Sequence, residues 1–90
     1  MRVARRFLVS GRVQGVGFRY FTQEAAAREG LQGLVRNLDD GRVEALAEGE
    51  AASVDRFEAA IRRGPSHARV DAVEVESLVP SGRYPGFRVG

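Results

Sequence analysis

The chain has 90 residues, 43% of them hydrophobic and 29% charged, which suits one domain spanning 1–90 around a single buried core. It holds no cysteine and one histidine, so a disulfide framework and a thiolate nucleophile are excluded, and no apolar run approaches the length of a membrane span. The net charge of +2 sets 14 arginines and no lysine against 12 acids, with the arginines spread along the whole chain rather than gathered into the basic stripe of a nucleic-acid-binding face.

Val3 to Ser10 alternates as a strand should, with Phe7 and Val9 on one face and Leu8 and Ser10 on the other. The run Gly11-Arg12-Val13-Gln14-Gly15-Val16-Gly17-Phe18-Arg19-Tyr20 follows, where the strand pattern gives way to a helix pattern. The spacing then predicts a helix from about Phe21 to Glu29, with Phe18, Phe21 and Ala25 on one face and Gly30 as its stop. Leu31–Leu38 and Arg42–Glu48 read as two strands. Asp39-Asp40-Gly41 between them is a hairpin signal, because tight turns need the positive φ that Gly and Asp tolerate. In the second of these strands Val43, Ala45 and Ala47 alternate with Glu44, Leu46 and Glu48, the pattern of a half-buried strand.

A second helix is expected over Ala51–Arg63, with Val54, Phe57 and Ile61 inward and Gly64-Pro65 ending it. Val70–Val79 has strand composition. Val70 is out of phase with Val73 and Val75, so either Val70 precedes the strand or a bulge intervenes. Gly86–Val89 adds a short edge strand, with Phe87 as anchor. The order βαββαβ predicts an α+β, ferredoxin-like sandwich: a four-stranded antiparallel sheet, with a fifth short strand at its edge and both helices on one face.

Three glycines and two arginines at a strand-to-helix junction suit an oxyanion. Glycine lets backbone N–H groups turn toward a ligand, and a helix N-terminus adds partial positive charge. Arg19 supplies a planar fork of donors that fits two phosphate oxygens. The loop is not a nucleotide P-loop, which would need Gly-Lys-Ser/Thr in a chain without lysine, nor a dinucleotide fingerprint, which would need glycine where Tyr20 stands. Asn37 shares the parity of Val35 at the end of its strand. Alone it would read as a turn asparagine, but beside an Arg-bearing anion loop its carboxamide is placed to orient a water.

His67, in a Gly-Pro-Ser-His stretch, and the adjacent Asp39 and Asp40 read as exposed loop residues, and Arg12, Arg36 and Arg42 as surface charges on their strands. No spacing of His, Asp or Glu suits a metal, so none is expected. Without a thiolate, a metal or an evident acid, the chain needs a phosphate whose leaving group departs unprotonated. A carboxylic-phosphoric anhydride meets that need: positioning water in line and stabilising the equatorial oxygens then suffice, with no cofactor.

Gly11-Arg12-Val13-Gln14-Gly15-Val16-Gly17-Phe18-Arg19, then Gly33-Leu34-Val35-Arg36-Asn37-Leu38 and Asp40-Gly41-Arg42-Val43-Glu44, resemble the signature segments of acylphosphatase, and the resemblance extends through Gly64-Pro65 to Tyr84 and Phe87. It implies a ferredoxin-like monomer that hydrolyses acyl phosphates to carboxylate and inorganic phosphate. By that resemblance, Arg19 binds the phosphate with the loop amides of Gln14, Gly15, Val16, Gly17 and Phe18, and Asn37 orients the attacking water. Leu34 stands where many members carry Trp, and Asp39 where many carry Pro, changes expected to act on packing and turn stiffness. Similar domains open large hydrogenase-maturation carbamoyltransferases, whereas a chain ending at Gly90 is expected to stand alone.

Two other readings share the topology. An RNA-binding module would carry stacking aromatics on its central strands, and Val43–Glu48 has none. An anion-binding domain without turnover would keep phosphate affinity but lack hydrolysis. Met1-Arg2-Val3-Ala4-Arg5-Arg6 precedes too short an apolar stretch for a secretory signal, which points to the cytoplasm. The absence of lysine, with Asn37 the only asparagine and Met1 the only methionine, suits a heat-adapted, thermostable protein, although a G+C-rich genome produces much of the same bias.

Overall fold

In the computed structural model, which describes residues 1–90, the elements run β1 (Arg2–Arg12), α1 (Phe18–Arg28), β2 (Gln32–Asn37), β3 (Val43–Glu50), α2 (Ala51–Arg63), β4 (Arg69–Leu78) and β5 (Phe87–Val89). The strand order is β4-β1-β3-β2-β5. The βαββαβ core is antiparallel as the alternation predicts. The short edge strand forms too, but it runs parallel to β2, with Gly33 opposite Phe87 and Val35 opposite Val89, so the five-stranded sheet is mixed. Helix α1 lies over β2 and β5, and α2 over β1, β3 and β4.

The core forms between this helix layer and the inward face of the sheet. Phe7 of β1 meets Phe57 of α2 edge-on at 5.6 Å, and Phe87 of β5 lies 5.9 Å from Phe57, so one helix aromatic joins two strands. Phe7, Val9, Val35, Val43, Val54 and Ile61 are fully buried, as their parities require. Burying each such side chain stabilises the fold by about 1.5–3 kcal/mol. Helix α2 has the expected bounds. Helix α1 begins three residues earlier than its composition suggested, because Gly17 turns the chain into it and Phe18 already sinks into the core.

The phase conflict in β4 resolves as a bulge. Ser10 pairs with Ala72 but Gly11 pairs with Val70, which leaves Asp71 without a partner across β1. Val70, Val73 and Val75 then stand opposite Gly11, Val9 and Phe7, all on the helix side. Gly11 permits the close approach: at φ +128°, a Cβ there would stand 2.1 Å from the Arg69 carbonyl oxygen.

The face of β3 away from the helices departs from expectation, since Glu44 and Glu48 are only 3% and 4% exposed. Glu44 lies between Arg6 of β1 and Arg36 of β2, accepting from their Nε atoms at 2.5 and 2.6 Å. Glu48 accepts from the Ser81 N–H and hydroxyl and the Gly82 N–H, which draws the β4–β5 connection across the sheet. Alternation marks which face a residue occupies. It cannot reveal that neighbouring arginines and a later loop will cover that face.

Burial alone would raise both carboxyl pKa values. The hydrogen bonds and charges of Arg6 and Arg36 at Glu44, and the donors of Ser81 and Gly82 at Glu48, outweigh it, so both lie below the ordinary value. The unfolded state therefore binds these protons more readily than the folded state. The stability the two groups contribute is present above about pH 4.3, the ordinary Glu pKa, and is lost as pH falls through the lowered folded values. Urea unfolding should show stability declining from about pH 5 to about pH 3, and declining less steeply in Glu44→Gln. An equal decline in the variant would show that Glu44 titrates alike folded and unfolded.

Candidate functional site

The residues between β1 and α1 are fixed at both ends and open between them. Val13 and Phe18 are each 1% exposed and anchor the loop in the core. Gly15 and Gly17 turn it with φ +75° and +77°, left-handed values costly for residues bearing a Cβ. From Gln14 to Tyr20 no backbone N–H donates to another protein group, no side chain caps α1, and its first turn carries no acid. A row of unpaired donors thus meets the positive end of a helix dipole, the physical requirement for holding an anion.

Arg19 lies in the first turn of α1, and its guanidinium donates to the main-chain oxygen of Gly90. One turn further on, Gln23 Nε2 donates to the Phe87 carbonyl at 3.3 Å. These contacts strap the helix start to β5 and restrict the wandering of a long side chain that would otherwise lose several rotamers on binding. Asn37 comes from the end of β2, in the last registered pair with β3, opposite Val43. It faces the helix side with Val35, as its parity predicts.

Val13, Gly15, Gly17, Phe18, Arg19, Tyr20 and Asn37 line one pocket of about 80 Å³. About 10–15 Å³ of such space holds one water, so this is room for a phosphoryl group. A larger cavity of about 230 Å³ between α1 and α2 contains neither Asn37 nor any part of the loop.

Five of the residues singled out from sequence, Gly15, Gly17, Phe18, Arg19 and Asn37, therefore converge. Gln14 and Val16 do not line the pocket. The Gln14 amide donates to the Leu38 and Arg42 carbonyls, and Val16 packs on the hydrophobic core, which leaves their backbone N–H groups as what they can offer a ligand. Val13 and Tyr20 belong to the lining and were not anticipated. An earlier helix start would have placed Tyr20, 60% exposed, at the rim.

Elsewhere the reading holds. His67, Asp39 and Asp40 are exposed. Asp40 accepts from the Arg42 backbone and Nε, bonds that close the turn and lower its pKa. Arg36 is paired with Glu44 and Arg42 with Asp40, whereas Arg12 has no carboxylate partner.

A family model described as acylphosphatase matches residues 5–89. The chain belongs to the acylphosphatase family. It is 57% identical over 84 residues to an acylphosphatase of Rubrobacter xylanophilus, covering 93% of this chain and 76% of that protein. The crystal structure of acylphosphatase from Bacillus subtilis superposes with a TM-score of 0.94 at 40% identity, covering 98% of each chain. A full-length HypF crystal structure in phosphate- and nucleotide-bound form is 28% identical with a TM-score of 0.88, and there the match covers all of this chain but 12% of that one.

The left-handed turn can be tested apart from any ligand. A Cβ at Gly17 would meet nothing within 4 Å, so Gly17→Ala isolates backbone strain. It should cost about 1–2 kcal/mol in urea unfolding. An unchanged midpoint would mean that α1 starts equally well without φ above zero.

Proposed function

We propose that this chain hydrolyses acyl phosphates, R–CO–O–PO₃²⁻, to a carboxylate and inorganic phosphate by direct attack of water on phosphorus. The observation that carries this reading is the meeting of Arg19 and Asn37 at one phosphoryl-sized pocket beside the unpaired amides of the loop. In the proposed mechanism the N–H groups of Gln14 to Phe18 and the Arg19 guanidinium hold the equatorial oxygens, where charge is stabilised in the transition state. The Asn37 carboxamide holds the water in line with the bond to the acyl oxygen. As the P–O bond breaks, its electron pair leaves on the carboxylate, which needs no proton. The proton released from water passes to solvent or to the product phosphate.

This needs neither metal nor covalent nucleophile. Nowhere in the chain do three His, Asp or Glu side chains converge as metal ligands. The remaining members of the proposal are a single domain acting as a monomer in the cytoplasm, stable to heat. Support for a monomer comes from the exposed edge strand β4, whose charges Arg69, Asp71, Glu74 and Glu76 discourage pairing with another chain. No helix is long and apolar enough to cross a membrane. Against an RNA-binding reading, the sheet face where bases would stack carries Glu44 between two arginines and is crossed by residues 81–82.

The roles separate kinetically. Arg19→Ala should lower kcat/KM for benzoyl phosphate on the order of a hundredfold and weaken competitive inhibition by inorganic phosphate in parallel. Asn37→Ala should reduce kcat while leaving phosphate inhibition in place. Undiminished phosphate inhibition in the Arg19 variant would move the anion site elsewhere. Phosphate binding by a folded wild type with no hydrolysis would leave an anion-binding domain.

A further inference from the structure

Gln14 follows directly on the buried Val13 and opens the loop, yet its side chain does not line the pocket. It reaches the neck of the β2–β3 hairpin. Its Nε2 donates to the Leu38 carbonyl at 2.8 Å and to the Arg42 carbonyl at 3.0 Å. A carboxamide nitrogen carries two hydrogens, so this one is fully used by the two bonds. The same two carbonyls already belong to the turn: Leu38 N–H donates to Arg42 O at 2.8 Å, and Gly41 N–H to Leu38 O at 3.2 Å. Gln14 thus bridges the closing pair of the hairpin, one residue beyond the Asn37–Val43 pair where the sheet register ends.

The position matters because nothing else in the structure bonds this part of the hairpin to the loop. Asn37 is exposed and donates or accepts no side-chain hydrogen bond within the protein, and the turn beyond it, Asp39 to Gly41, is exposed throughout. Strand ends of this kind fray. The cradle and Asn37 come from different elements. Their separation is set by the sheet and by whatever ties the loop to the hairpin, and the ties are these two bonds.

We infer that Gln14 is a positioning residue that fixes the water-orienting Asn37 relative to the phosphate cradle by clamping the neck of the β2–β3 hairpin. This rests on the roles proposed above for Asn37 and the loop. Its own content is geometric: the side chain acts on the partner of the reaction it does not touch, while its backbone N–H stays with the anion.

The test is Gln14→Met, which keeps length and removes both donors without adding charge. It should lower kcat for benzoyl phosphate about ten- to a hundredfold, the effect of displacing a reacting partner by about an ångström, and change the inhibition constant of inorganic phosphate less than about twofold. In an Asn37→Ala background the same change should cost nothing further, because a residue acting only through Asn37 has nothing left to position. Hydrogen exchange should quicken at the Leu38 and Gly41 amides and stay unchanged in the core of β1 and β3.

Phosphate affinity falling in step with kcat would assign the side chain to the cradle, and an additive loss in the double variant would give it a role independent of Asn37. Either overturns the inference. If Asn37→Ala alone kept full activity, the functional reading would fall first, and exchange at Leu38 and Gly41 would still decide whether the clamp exists.

Discussion

The site depends on the way β3 lies between β1 and β2. Both pair with it antiparallel, so β1 and β2 run in the same direction and their C-terminal ends emerge at the same end of the sheet. One end continues into the glycine loop and the other carries Asn37. Groups distant in sequence then face one pocket without any long loop to carry them. A slip of one residue in the β2–β3 register would turn Asn37 to the opposite face. The register is held by burial of Val35 against the helices and by Gly33, where a Cβ would stand 1.8 Å from the Leu46 carbonyl oxygen.

Around this frame, rigidity and exposure are divided by residue. Val13, Phe18 and Val35 bury the backbone next to the pocket, while Gly15, Gly17 and Asn37 remain exposed within it. Arg19 is the long, flexible member, and it is held by the last residue of the chain through Gly90. The arrangement suits a reaction in which little covalent chemistry is asked of the protein. In the proposed mechanism charge is met by donors already in place and water by the Asn37 carboxamide, so much of the positioning precedes substrate.

Much of this was legible in the residues. Parity placed Asn37 beside Val35, Asp40-Gly41 placed the hairpin, and the glycine spacing with Arg19 marked the loop that lines one pocket with Asn37. What sequence could not give was the destination of side chains that leave their own element. Gln14 reads as one more loop residue until the hairpin neck lies within its reach. Glu44 and Glu48 read as solvent-facing until Arg6, Arg36 and Ser81 arrive from other parts of the chain. The start of α1 was missed because good helix formers begin at Phe21, whereas the start is set by the conformation of Gly17. The bulge was visible only as a phase conflict, and the choice between its two explanations required the β1–β4 pairing.

The central claim is that water attacks phosphorus in the pocket shared by Arg19 and Asn37. The most direct measurement is hydrolysis of benzoyl phosphate in ¹⁸O-water with chelator present, followed by mass analysis of both products. The account predicts metal-independent turnover with the label in inorganic phosphate and none in benzoate. Label in benzoate would place the attack at the acyl carbon, and turnover abolished by the chelator would make the reaction metal-dependent. Either result would contradict the account.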